Sequence, residues 1–165
     1  MCPLDAASGQ GGTRPFLPDL LARVAHLLTK RFAEELRGRS VSLPVWRALA
    51  ALEARPCETV TGLAEACLLQ QPTMTKLLDR MVLDGLVTRV PDARDRRIVR
   101  VALTPEGEAK AAELAAIAGR HEAEMLARHP QAEAIKPVLR DIAAGGAATR
   151  RGGGRGEGGR GEEGT

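Results

Sequence analysis

The segment from Gln70 to Gly107 constrains this chain most, because an amphipathic helix, an arginine-rich turn and a capped helix start follow one another without a break. A helix is predicted from about Pro72 to Asp84, since apolar residues recur there at helical spacing, at Met74, Leu77, Leu78, Met81 and Val82. Gln71 lies near the expected N-cap, and Pro72 suits the first turn. Gly85 suits the left-handed position after the helix end.

The opposite face of this helix is polar and carries Thr73, Thr75, Lys76, Asp79 and Arg80. Threonine and lysine side chains contact base edges and phosphates when the N-terminal end of a helix enters a major groove. An ordinary solvated face is an equally good interpretation of the helix taken alone. The residues that follow therefore decide between the two interpretations.

Two short runs with strand character, Leu86 to Val90 and Ile98 to Leu103, flank a polar loop over residues 91–97. From Arg89 to Arg100 there are five arginines and two aspartates. Asp92 or Asp95 is expected to pair with an arginine and orient the loop, which leaves other guanidinium groups free to reach a narrow minor groove. The candidates for that contact are Arg94, Arg96 and Arg97. A solvated charged hairpin is the alternative.

Three stretches together resemble the winged helix-turn-helix of MarR-type (multiple antibiotic resistance regulator) transcription factors. They are Gly85-Leu86-Val87, the D-x-R-D-R-R tip over residues 92–97, and V-x-L-T-x-x-G over residues 101–107. The resemblance extends from roughly Pro18 to Ala144. It implies a mainly α fold with a small β-hairpin wing, and it implies DNA contacts from a recognition helix and a wing, at Gln71, Pro72, Thr73, Thr75, Lys76, Arg80, Arg94, Arg96 and Arg97.

The preceding residues fit a helix-turn-helix within a winged domain over about residues 43–103. Ser42 begins a helix that runs to about Ala54, with Trp46 in its apolar stripe. Thr61 is the expected N-cap of the next helix. That helix is expected to turn four residues towards the core, namely Leu63, Ala64, Cys67 and Leu68.

Flanking helices are predicted over about residues 18–38 and 104–144, the latter interrupted at Pro130. Their apolar stripes, from Leu20 to Leu36 and from Ile135 to Ile142, are wide for helices that pack on one small domain. The resemblance implies that such helices interleave with a second subunit, and a two-fold dimer places recognition helices about 34 to 36 Å apart, as a pseudo-palindromic operator requires. A monomer that buries both stripes internally is the alternative.

The ends of the 165-residue chain lack the composition of a folded domain. Residues 1–16 and 145–165 are expected to be disordered, and the second stretch holds ten of the 18 glycines. Neither a secretory signal nor a membrane-spanning run is predicted, which favours a cytoplasmic protein. The formal net charge of +3 is too small to indicate nucleic-acid binding without the local arginine cluster.

Catalytic and metal chemistry find no support in the sequence. The three histidines are scattered, and Cys2, Cys57 and Cys67 lack metal-ligand spacing, so neither an enzyme nor a cofactor is predicted. We therefore expect a homodimeric transcriptional regulator that binds double-stranded DNA, most simply a repressor. The resemblance implies its release by a small amphipathic or phenolic effector. A winged-helix adaptor that binds protein or RNA, with the Arg-Gly tail contributing, is the alternative hypothesis.

Overall fold

The computed structural model describes the backbone of residues 16–151 and the side chains of residues 16–144. The expected N-terminal arm up to residue 15 and the expected tail beyond residue 151 lie outside the described residues. The elements are α1 Leu17–Arg37, α2 Leu43–Ala54, β1 Glu58–Thr59, α3 Val60–Ala66, α4 Gln71–Leu83, β2 Val87–Pro91, β3 Val99–Leu103, α5 Pro105–Arg128 and α6 Ala132–Arg151. The described chain forms two units, residues 16–118 and residues 119–151.

The core of the first unit is built from the apolar faces of its helices. Ser42 caps α2 as predicted, since its hydroxyl accepts the N–H of Val45 at 3.4 Å. Trp46 is only partly buried and meets Phe32 of α1 edge to face, with ring centroids 4.8 Å apart. The largest fully buried side chains are Leu36, Leu49, Leu52, Leu63, Met74, Leu78, Met81, Leu114, Val101 and Cys67.

Helix α3 begins two residues earlier than the sequence suggested. Its N-cap is Thr59 rather than Thr61, and the Thr59 hydroxyl accepts the N–H of Gly62 at 3.1 Å. Glu58 Oε1 accepts the N–H of Thr59 at 2.8 Å. The cap is stable there because the side chain of Glu58 folds over the helix start, in the space that a Cβ at residue 62 would occupy.

Leu68 does not face the core, and its prediction was wrong. Its backbone is left-handed, with φ of 57°, and its side chain is 83% exposed. The N–H groups of Leu68 and Leu69 bond back to the carbonyls of Glu65 and Ala64, at 3.2 and 2.9 Å. These bonds end α3 and turn the chain into α4, so residue 68 must point outward.

The sheet has three antiparallel strands in the order β1, β3, β2. The β2–β3 hairpin was predicted, whereas β1 was not, because two residues carry no periodic pattern. Arg100 is the register partner of both Val90 in β2 and Thr59 in β1. Val101, the next residue of β3, is fully buried and anchors the sheet on the helices.

The start of α5 packs closely against the residues that link α4 to the wing. Gly85 takes the predicted left-handed backbone, with φ of 72°. Thr104 donates its N–H to the carbonyl of Leu86 at 3.1 Å and its hydroxyl to the carbonyl of Gly85, and it accepts the N–H of Gly107 at 3.0 Å. A Cβ at residue 107 would overlap the carbonyl of Leu86, so only glycine allows this approach.

The second unit holds the end of α5 and all of α6. Lys136 of α6 forms ion pairs of 2.7 Å with Glu122 and with Glu133. The helix was expected to end near Ala144, but its backbone continues to Arg151. Extending an existing helix through glycine costs only about 1 kcal/mol per residue, far less than nucleating a new helix.

Within the described residues, no helix is both long enough and apolar enough to cross a membrane.

Candidate nucleic-acid interface

The start of α4 presents the predicted contact residues to solvent. Gln70 is the N-cap and makes no side-chain cap bond, with Pro72 in the first turn. The residues predicted to touch DNA from this helix are all exposed, namely Gln71, Pro72, Thr73, Thr75, Lys76 and Arg80. Buried Met74, Leu78 and Met81 hold the opposite face on the core. Val82, predicted for the apolar stripe, is 38% exposed, because it lies at the edge of that stripe.

The hydroxyl of Thr75 is already engaged as a donor. It donates to the carbonyl of Gln71 at 3.0 Å, one turn back along α4. The threonine oxygen keeps its acceptor capacity, and its methyl group is available for an apolar contact such as a thymine methyl. A base contact from Thr75 is therefore limited to these two kinds.

Two ion pairs lie along the far half of α4. Asp79 accepts from Arg89 of β2 at 2.6 Å, which ties the helix to the wing. Arg80 lies 3.8 Å from Asp84 in a pair whose arginine side chain is 80% exposed. An exposed pair of this kind stabilises by only about 0 to 1 kcal/mol, so Arg80 can leave it at little cost in free energy. The side chain of Lys76 has no hydrogen bond or ion pair within residues 16–144.

Asp92 organises the loop at the tip of the wing. It is the one buried charged residue of the described chain, 9% exposed, and its Oδ1 accepts the N–H groups of Arg94 at 2.8 Å and Asp95 at 3.0 Å. Its Oδ2 accepts from Nε of Arg100. The backbone of Asp92 also donates to the carbonyl of Ile98 at 2.9 Å. The loop is thus closed by hydrogen bonds to both carboxylate oxygens of Asp92 and by one from its backbone N–H.

The surroundings of Asp92 stabilise its charged form. The hydrogen bond from Arg100, followed by those from the backbone N–H groups of Asp95 and Arg94, lowers the pKa of Asp92 from 3.8 to about 2. The same hydrogen bond raises the pKa of Arg100. The pair is therefore fully ionised at neutral pH.

Arg100 is the functional residue that the sequence reasoning missed. An arginine partner for Asp92 or Asp95 was expected, and the partner is Arg100 in β3, not an arginine of the tip. Its Nη1 also donates to the carbonyl of Cys57 at 3.0 Å, just before β1. The signal was its alternation with Val99 and Val101, which puts it on the other face of the strand. The choice among five arginines required the strand register.

Asp95 plays a smaller part than Asp92. Its Oδ1 accepts the backbone N–H of Arg97 at 2.9 Å, and it has no arginine side-chain partner within the described residues. Arg94, Arg96 and Arg97 are exposed, and their guanidinium groups have no carboxylate within ion-pair distance among residues 16–144. The tip thus presents three arginines without carboxylate partners on a backbone that the side chains of Asp92 and Asp95 hold in place.

The two described cysteines differ in their surroundings. Cys67 is buried in the core as predicted, and burial raises the pKa of its thiol. Cys57 is half-buried, in a left-handed backbone with φ of 62°. The third, Cys2, lies outside the described residues. Among residues 16–144 no three His, Cys, Asp or Glu side chains are grouped as metal ligands.

Comparisons with known proteins agree with this geometry. A family model described as MarR family matches residues 40–98. The crystal structure of a MarR family transcriptional regulator from Silicibacter pomeroyi is 38% identical to this chain, covers 78% of it and 93% of its own chain, and superposes with a TM-score of 0.70.

Two curated relatives are also similar. The uncharacterized HTH-type transcriptional regulator YsmB of Bacillus subtilis is 35% identical over 88 residues, which are 53% of this chain and 60% of that protein. The HTH-type transcriptional repressor IacR of Pseudomonas putida is 29% identical over 103 residues, 62% of each protein. The chain thus spans about 60% of the length of these curated relatives.

Proposed function

This chain belongs to the MarR family of helix-turn-helix transcriptional regulators, and from that premise we propose that it is a homodimeric repressor of a pseudo-palindromic duplex DNA operator. The observation that carries the proposal is the wing tip, where Asp92 orders the backbone while three guanidinium groups are left unpaired. Free cations on a fixed loop suit the negative potential of a minor groove.

Helix α4 supplies the second half of the proposed interface. Its N-terminal residues enter the major groove, Lys76 meets a phosphate, and Thr75 contacts a base edge through its methyl group or its oxygen. The Asp79–Arg89 ion pair keeps helix and wing in one orientation, so that both grooves are contacted together. Asp92 and Asp95 act on the wing backbone and not on the DNA.

The proposal of a dimer rests on apolar surface. Helix α1 leaves six large apolar side chains between 37% and 65% exposed, namely Leu17, Leu20, Leu21, Val24, Leu27 and Leu28. Helix α6 leaves four between 40% and 57% exposed, namely Ile135, Val138, Leu139 and Ile142. Each such side chain contributes about 1.5 to 3 kcal/mol when fully buried, and a second copy of the chain covers both faces.

Repression follows by analogy with IacR, whose name describes a transcriptional repressor. Release by a small amphipathic or phenolic effector, bound between the dimer helices and the DNA-binding lobe, is part of the same proposal and comes from the family alone. The proposed site of action is the cytoplasm, where an operator is accessible.

Fluorescence anisotropy on duplex DNA from the upstream region of the gene tests the proposal. Arg96→Ala and Arg97→Ala are each expected to weaken binding by about 1 to 3 kcal/mol and to flatten its salt dependence, because each removes a phosphate or groove contact. Arg128→Ala on α5 is the matched control, with the same loss of charge outside the interface. Unchanged affinity and salt slope in both wing variants would remove the wing from DNA. Binding to RNA or protein in place of duplex DNA would favour an adaptor.

The recognition helix has its own test. Lys76→Ala is expected to lower affinity on all duplexes alike, whereas Thr75→Ala is expected to change the preferred base at one position per half-site. Selection of bound sites from a random duplex library measures both. Recovery of the wild-type site at wild-type affinity by the Thr75 variant would exclude direct readout by that residue.

The dimer is tested by mass. Leu28→Asp combined with Leu139→Asp is expected to give monomers or unfolded chain in light scattering, because an uncompensated carboxylate in an apolar interface is costly. Leu83→Asp, at a position 86% exposed near the end of α4, is the control and should keep the dimer mass. A monomer of intact wild-type protein at micromolar concentration would contradict the proposal.

A further inference from the structure

The chain leaves three helices through the same left-handed turn. After α1, α3 and α4, one residue adopts a positive φ, and both it and its successor donate their N–H groups to carbonyls of the last helical turn at 2.9 to 3.2 Å. The residues in the left-handed position are Ser40, Leu68 and Gly85, with φ of 59°, 57° and 72°. Of the three, Leu68 alone has a large apolar side chain.

Folding does not account for a leucine at this position. A left-handed backbone strains a residue that has a Cβ, which is why glycine usually fills it. The apolar contact that accompanies such a turn comes from the next residue, Leu69, which packs against the core, whereas the side chain of Leu68 is 83% exposed. The leucine therefore strains the fold and returns little buried area to it. Backbone strain of this kind is concentrated at functional sites.

Leu68 lies beside the end of α4 that carries the proposed base contacts. It precedes the N-cap Gln70 by two residues, so the two Cα atoms are at most about 7 Å apart. Gln70 and Gln71 are exposed as well. Leu83 is 86% exposed but lies at the opposite end of α4, about 18 Å along the helix axis from Gln71. Of these two leucines, only Leu68 adjoins the proposed DNA surface.

The chemistry of the side chain selects its contact. Leucine offers a phosphate neither a charge nor a hydrogen bond. Exposed Glu65, whose carbonyl accepts the N–H of Leu68 at 3.2 Å, adds a negative charge that repels phosphate. In the major groove the apolar group on a base edge is the C5-methyl of thymine. An exposed leucine beside the groove-entering end of α4 therefore suits a thymine methyl group.

We propose that Leu68 is a specificity-determining residue, which packs against the C5-methyl group of one thymine in each operator half-site. The inference rests on the function proposed above and adds to it a base contact from the turn before α4. It also accounts for the strain, because the left-handed backbone turns this side chain outward instead of into the core.

Removal of the methyl group is the direct test. Replacing thymine by uracil deletes the C5-methyl and keeps the base pair, so each thymine of the site selected from the duplex library is replaced in turn, symmetrically in both half-sites. Burying one methyl group against an apolar side chain changes affinity by about fourfold. In fluorescence anisotropy, one such replacement is expected to weaken wild-type binding by about fourfold per half-site through loss of the contact with Leu68.

Variants assign the methyl contact to its residue. Leu68→Ala is expected to weaken binding to the thymine duplex by about the same factor, and to bind the thymine and uracil duplexes equally at that position. Leu68→Met, which keeps a long apolar side chain, should retain most of the discrimination. Leu83→Ala is the matched control, because it shortens an exposed leucine away from the proposed surface, and it should behave as the wild type does.

A Leu68→Ala variant that bound more weakly but still discriminated between thymine and uracil as the wild type does would overturn the proposal. The residue would then act on the turn and not on the methyl group.

Leu68→Gly separates recognition from folding. Relief of the left-handed strain should leave its unfolding midpoint in urea at or above that of the wild type, while the discrimination between thymine and uracil at the contacted position is lost. A midpoint below that of the wild type would contradict the strain at residue 68, and retained discrimination would contradict the contact.

The outcomes separate this inference from the function on which it rests. If the library yields no bound site and the wild type binds no duplex, the proposed function fails and the thymine contact fails with it. If the wild type binds its selected site, yet Leu68→Ala has wild-type affinity and the wild-type dependence on every thymine, only the contact of Leu68 is overturned.

Discussion

Gly107→Ala tests the junction between the wing and α5, and its effect follows from one distance. A Cβ at residue 107 would lie 2.9 Å from the carbonyl carbon of Leu86 and closer still to its oxygen, nearer than real Cβ atoms approach a heavy atom. The neighbour is backbone, so no side-chain rotation relieves the overlap. Either the start of α5 or the residues after α4 must move.

The cost has three parts. Overpacking costs about 1 to 3 kcal/mol, and the hydrogen bonds from Thr104 to Gly85 and Leu86 contribute about 0.5 to 1.5 kcal/mol each, while alanine returns about 1 kcal/mol of helix propensity. We expect a net destabilisation of about 2 to 4 kcal/mol. Urea unfolding followed by circular dichroism, at fixed protein concentration, measures it.

Gly119→Ala on the same helix is the matched control. An added Cβ there meets no heavy atom within 4 Å, so we expect a gain of about 1 kcal/mol from helix propensity. If Gly107→Ala were as stable as the wild type, or gained stability as Gly119→Ala does, the steric reasoning at the junction would be refuted.

Two further perturbations test the wing and the turn between α3 and α4. Asp92→Asn should weaken DNA binding and lower stability at neutral pH. This stability difference should shrink as pH falls from about 5 to about 3. The pKa of Asp92 is about 2 in the folded state against 3.8 ordinarily, so the stabilisation by its carboxylate is full above pH 3.8 and is lost as pH falls towards 2. A difference in urea unfolding that did not depend on pH would contradict this. Leu68→Gly should raise the free energy of unfolding by about 0 to 1 kcal/mol, since glycine relieves a left-handed backbone but loses more entropy on folding. Leu83→Gly, at the helical end of α4, should lower it by about 1 kcal/mol. The reverse order in thermal unfolding would refute the account of residue 68.

Local patterns predicted most of the winged helix-turn-helix, and the comparisons confirm that fold. The period of Met74, Leu78 and Met81 was sufficient for α4, because all three bury the same face. The cap at Thr59 was misassigned to Thr61, since both are threonines and the deciding contact comes from the side chain of Glu58.

Longer-range features were beyond the sequence. Strand β1 has two residues, which is too short for any periodicity, and it exists because β3 offers a free edge. The partner of Asp92 lies eight residues away across the hairpin, in a register that the local composition did not fix. The predicted roles of the exposed α4 and wing residues on DNA stay predictions until binding is measured.

The buried carboxylate of Asp92 has a thermodynamic consequence for recognition. A loop that became ordered only on DNA would lose its conformational entropy during association, at a cost of about 1 to 2 kcal/mol for each backbone residue fixed. In this chain the loop is already ordered when the protein folds, because Arg94, Asp95 and Arg100 all donate hydrogen bonds to the side chain of Asp92. If the wing contacts DNA as proposed, only guanidinium rotamers would remain to be immobilised on the duplex. The wing would then associate as a preorganised unit, and salt rather than loop ordering would govern its contribution to affinity.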